Sequence, residues 1–198
     1  MPFYEIQHTY PLSPSQQQAI AQHITTLHST TFLTPSLFVN VVFQHLQSEN
    51  HRTTYFLAGQ PVAHNAAGPN RILGMVRQGP SRTKADFDRL AKRIEDAWDE
   101  VVSGVKGDGN GQAGVANGNV TSESNLGRKA KKLHLVAFYP MLAAREAGTV
   151  IPGPGEEASW LKDNMAYFKS QARDYDDDDF KGLLEEVERR DDLKALIS

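Results

Sequence analysis

The sequence predicts an α+β fold in which two β-α-β units share one sheet and both helices cover one of its faces. Three observations carry this expectation. Near the start, FYEIQHTY alternates, then a helical spacing follows, and then LFVNVVFQHL, rich in β-branched and aromatic residues. The same order returns as RILGMV, a second helical stripe and LHLVAF. Outside this pattern stand one long glycine- and asparagine-rich stretch and an acidic C-terminal segment.

In chain order, the first strand places Tyr4, Ile6 and His8 on one side and Phe3, Glu5 and Gln7 on the other. YPLSPS breaks it and supplies helix-start residues. Ile20, Ile24, Leu27 and Thr31 then keep helical spacing from Ser15 to about Thr31. LFVNVVFQHL reads as a buried strand, and YFLAG as part of a short hairpin. After RILGMV, Thr83 with Asp86 resembles a capping box. Phe87, Leu90, Ile94, Ala97, Trp98 and Val101 form the clearest amphipathic stripe in the chain.

Residues 103–132 have no apolar period and read as a flexible Gly/Asn/Ser-rich insertion. LHLVAF closes the second unit, PMLAAREAG reads as a short turn or helical segment, and IPGPGEE as a stiff turn. The expectation is a single domain over 1–164, followed by an acidic tail at 165–198 that either docks as a helix or stays mobile. Exposed strand edges and an uncovered sheet face in such a fold invite self-association.

Composition narrows the function. The 198 residues suffice for a sizeable core, and a net charge of −3 without a basic excess argues against nucleic acid as a partner. Cysteine is absent, which removes thiol catalysis and cysteine-based zinc sites. No histidine pair has metal-ligand spacing and the glycines form neither a dinucleotide fingerprint nor a phosphate loop, so neither a metal nor a cofactor is expected. No apolar run approaches a membrane span, and the N-terminus lacks a secretory signature, so a cytoplasmic chain without membrane contact is expected.

Five positions carry candidate chemistry. Pro2 either begins the first strand or, with Met1 removed, offers a ring-fixed secondary amine able to move one proton near neutrality. His28 lies on the inner side of the first helix, either as a core histidine bonded to a backbone carbonyl or as a site residue. Arg77 and Arg82 bracket RQGPSR between strand and helix, as solvated charges or as a fork for a small carboxylate. Glu146 in AAREAG either meets Arg145 and solvent or activates a water beside the amine.

The order of these residues, with MPFYEI, AIAQHITTLH, VVFQ, RQGPSR followed by LAKRI, and REAG before IPGPGEEASWL, resembles the tautomerase superfamily, specifically its cis-3-chloroacrylic acid dehalogenase subgroup. The resemblance extends to about Asn164 and implies a β-α-β-β-α-β fold assembled as a homotrimer. It implies Pro2 as the proton-moving group, Arg77 and Arg82 as binders of the substrate carboxylate with His28 assisting, and Glu146 on water. The sequence departs from the subgroup in two places. Ala137 stands where the dehalogenase has a tyrosine, leaving Tyr139, two residues on, as the possible substitute. The arginine junction is also two residues longer.

Both departures touch hydration more than the amine. The expected activity is therefore a cofactor-free tautomerase or hydratase of small 2-oxo or unsaturated carboxylates. A cis-3-haloacrylate dehalogenase and a non-catalytic oligomeric binding protein are the alternatives.

Overall fold

The structure, a computed structural model, describes residues 2–48, 51–52, 54–61, 68–104 and 125–198. Residues 105–124, most of the expected insertion, lie outside the described residues. In chain order the elements are β1 (Phe3–His8), α1 (Pro14–Thr31), a 3-10 turn (Ser36–Phe38), β2 (Asn40–His45), β3 (Gln47–Ser48), β4 (His51–Arg52), β5 (Phe56–Leu57) and β6 (Gln60–Pro61). There follow β7 (Asn70–Val76), α2 (Lys84–Ser103), α3 (Asn125–Lys131), β8 (Leu133–Pro140), β9 (Arg145–Glu146), β10 (Thr149–Val150), α4 (Glu157–Asp174), α5 (Asp178–Arg189) and α6 (Asp191–Ile197).

The main sheet has the order β2-β1-β7-β8. Within each β-α-β unit the strands are parallel, and β1 meets β7 antiparallel at the centre. This is the α+β arrangement that the two periodic units predict. Both helices begin at capping boxes, Ser13 with Gln16 and Thr83 with Asp86, which satisfy amides that the first turn leaves unpaired. Tyr4, Ile6 and Ile72 on the sheet pack with Ile20 and Ile24 of α1 and Leu90, Ile94 and Trp98 of α2. Each such buried side chain contributes about 1.5–3 kcal/mol of apolar burial.

One expectation changes, and one pair of alternatives is decided in favour of the turn. LFVNVVFQHL is not a buried strand: its first residues form the 3-10 turn, and β2 is a sheet edge with half-covered or exposed side chains. PMLAAREAG is not helical, because Arg145–Glu146 pairs with Thr149–Val150 around Ala147 and Gly148, both at positive φ. At Gly148 a Cβ would also lie 2.1 Å from Tyr167 Oη, so the turn tolerates no side chain there.

Residues 125–131, the end of the glycine-rich stretch, form α3, whose Lys131 carbonyl accepts from Trp98 Nε1 at 2.8 Å. α4 runs straight through position 164, where the compact domain was expected to end. The acidic segment beyond it is helical and docked. Phe168, Phe180, Leu183, Val187 and Leu193 build a second core with Leu161, and Phe38 of the 3-10 turn joins it. Among the described residues no helix is long and apolar enough to cross a membrane.

Candidate active site

The antiparallel register that pairs Phe3 with Met75 brings the chain before Phe3 to the far end of β7, where Arg77 follows Val76. Pro2 is buried there, and its carbonyl accepts from Asn40 N at 3.2 Å. The Asn40 side chain reaches the other way, donating through Nδ2 to Glu146 Oε1 at 2.7 Å. Asn40 therefore ties the start of β1 to the β9–β10 hairpin. Burial pushes the Glu146 carboxyl above its ordinary value, while the bond from Asn40 and the charge of the N-terminus act in the opposite direction.

His28 is 1% exposed, and its Nδ1 lies 2.9 Å from Tyr4 Oη rather than on a backbone carbonyl. Burial drives its pKa well below the usual histidine value, helped by the charges of Arg82, the N-terminus and Arg77. Its imidazole is accordingly neutral at neutral pH. Burial also raises the Tyr4 phenol far above its ordinary range, so that group stays protonated. Phe32 packs against the His28 ring at 4.9 Å, and the Arg82 guanidinium sits over the Phe32 face at 4.5 Å.

Arg77 and Arg82 are 7% and 4% exposed, which rules out solvated surface charges. Buried cations need partners. Glu157, on the first turn of α4, supplies one: its Oε1 is 3.1 Å from Arg77 Nη2 and also bonds Arg82 Nη2. Arg77 Nη1 donates to the carbonyls of Pro152 (2.7 Å) and Gly153 (3.3 Å), and Arg82 Nη2 reaches the Phe32 carbonyl at 3.4 Å. Arg77 Nε and Arg82 Nη1 remain buried without a hydrogen-bond partner. Burial and the neighbouring Arg82 bring Arg77 down to about 10, and burial lowers Arg82 as well, so Arg77 is still a cation at neutral pH.

Arg77 separates two spaces. A small cavity of about 10 Å³ lies between Arg77, Glu157, Phe38 and Trp160, with room for about one water. An open cavity of about 190 Å³ lies beside Arg77, Gln78, Met141, Ala144, Ile151 and Pro154. Pro2 lines neither.

The fold thus gathers His28, Arg77 and Arg82 into one electrostatic cluster and connects Pro2 to Glu146 through Asn40. Tyr139 is elsewhere. It pairs with Met75 on the sheet face that the helices leave uncovered and is 49% exposed, while Ala137 sits opposite Leu73 in mid-strand. The shift in the β7–β8 register falls at Asn70 and Arg71, and Tyr139 keeps the same face as Ala137.

Sequence reasoning missed Glu157, Asn40, Phe32 and the Tyr4 hydroxyl. Of these only Glu157 had a signal, in IPGPGEEASWL. That signal does not separate it from Glu156, which instead turns back to accept from Gly153 N at 2.8 Å. Among the described residues no group of three or more acidic or histidine side chains could hold a metal ion.

A family model described as "Putative oxalocrotonate tautomerase enzyme" matches residues 1–124. The chain belongs to this tautomerase family. Solved structures extend the likeness of this tautomerase chain in fold. The crystal structure of N1, a member of the cis-3-chloroacrylic acid dehalogenase family, is 21% identical, with a TM-score of 0.55 over 80% of this chain and 90% of that one. Native RhCC from Rhodococcus jostii RHA1 is 17% identical, with a TM-score of 0.50 over 82% of this chain and 96% of its own. A single-site mutant of RhCC gives the same TM-score at 18% identity, over 82% of this chain and 89% of that one. No curated protein matches the sequence.

Proposed function

We propose that this tautomerase-family chain is a cofactor-independent tautomerase or hydratase that acts on small 2-oxo or unsaturated carboxylates through the amine of Pro2, after removal of Met1. The observation that carries the proposal is the pair of buried, unpartnered nitrogens Arg77 Nε and Arg82 Nη1, in the segment that follows β7, whose end lies beside the start of β1 and Pro2. Guanidinium nitrogens left without an acceptor in a buried site are costly unless a ligand supplies one. A carboxylate supplies two oxygens.

Held there, a substrate presents its α-carbon side to the strand start. Pro2 takes a proton from one carbon or oxygen and returns it to another, which is tautomerisation. With Tyr4 O–H donating to His28 Nδ1, Nε2 keeps its proton and donates to the substrate oxygen. Glu146, anchored by Asn40, orients or deprotonates water where addition replaces proton transfer. Ala137 and the outward Tyr139 leave that second half less well equipped within one chain. The uncovered sheet face supports assembly as a homotrimer, the arrangement the resemblance implies.

Intact-mass spectrometry of the purified protein tests the premise: retention of Met1 acylates the prolyl nitrogen and ends the mechanism. With Met1 absent, Pro2→Ala lowers enol–keto conversion of phenylpyruvate by about 10²-fold or more, at an unchanged far-UV spectrum. Undiminished turnover overturns the reading. Stoichiometric halide release from cis-3-chloroacrylate redirects it to the dehalogenase.

A further inference from the structure

The arginine pair already holds one carboxylate of its own. Glu157, on the first turn of α4, bonds Nη2 of both Arg77 and Arg82 through a single oxygen. Arg77 Nη1 is engaged by the Pro152 and Gly153 carbonyls. Each guanidinium is left with one buried, unpartnered nitrogen, Nε on Arg77 and Nη1 on Arg82. Two positive charges and one negative leave the cluster a single net positive charge.

We propose that Glu157 is a specificity-determining residue that sets this site to accept a monocarboxylate and to reject a dicarboxylate. The inference rests on the reading of the arginine pair as the carboxylate site. The two unpartnered nitrogens offer N–H groups to the oxygens of one carboxylate, and that carboxylate cancels the remaining charge. A second carboxylate nearby meets the Glu157 charge. Like charges brought together in a poorly solvated site discriminate by repulsion. Glu156, whose charge also acts on Arg77, adds to the same sign.

Calorimetric binding of crotonate and fumarate, matched in length and differing by one carboxylate, tests this. The Pro2→Ala background is used so that turnover plays no part. Crotonate is expected to bind about tenfold or more tightly than fumarate. Glu157→Gln keeps the acceptor and removes the charge, and the ratio is expected to fall about tenfold, to parity or beyond. Glu157→Asp keeps the charge and the selectivity, even where both affinities drop.

A Glu157→Gln protein that is folded and retains the original ratio overturns the inference and leaves the arginine site standing. Failure to bind either acid overturns both. Should Glu157→Gln not fold, the unsubstituted ratio decides, because fumarate binding as tightly as crotonate overturns the inference directly.

Discussion

Buried against Tyr4 and Phe32, His28 links the site to the stability of the fold. Its folded pKa lies below that of an unfolded histidine, about 6.5. The unfolded chain therefore takes up the proton first as pH falls. The stabilisation is complete above that value and is lost as pH drops below it, by at most about 2 kcal/mol at pH 5, a limit set by the unfolded histidine's own titration. His8 is also lowered by burial and contributes in the same direction, so the comparison must be with a variant. Urea midpoints of the protein are expected to fall from pH 7 to pH 5, and His28→Gln is expected to flatten that fall; an unchanged slope rules the assignment out. The inward position of His28 was legible from its spacing to Ile20 and Ile24. Its bond to Tyr4 was not, because the two lie 24 positions apart in the chain.

At the scale of elements, local signals worked where the chain satisfies itself locally. Both long helices start at their capping boxes, and the stripe from Leu90 to Trp98 is the buried one. They failed where neighbours decide. Apolar β2 has a partner on one side only, so its side chains stay half open, and the acidic tail gives no sign of what it docks on. The docking is specific. Glu186 of α5, 7% exposed, accepts from Ser36 N and Ser36 Oγ at 2.8 Å each and from Arg190 at 2.8 Å, while Arg190 reaches Ser29 on α1. Glu186→Ala strips these donors of their acceptor and is expected to lower stability by about 3 kcal/mol. Amide exchange should quicken first in α5 and α6. Unaltered protection there would mean that the apolar cluster alone holds the tail.

On the scale of the whole molecule, one sheet face is closed by α1 and α2, and the other carries Phe3, Val42, Leu135 and Tyr139 in the open. The strand edges at β2 and β8 are open as well. Light scattering is expected to give three times the chain mass, and Leu135→Glu is expected to shift it toward the monomer. A monodisperse monomer at working concentration would remove the trimer. By itself the sequence determined the two β-α-β units, the helix starts and which faces turn inward, because periodicity and capping act within a few residues. It also marked Pro2, His28, Arg77, Arg82 and Glu146 as a set. Only the tertiary structure decided what each of them meets: Glu157 on the arginines, Asn40 between Pro2 and Glu146, Tyr139 turned away. Those pairings span up to a hundred residues or more of chain, and their energies come from burial and charge that exist only once the distant segments are packed together.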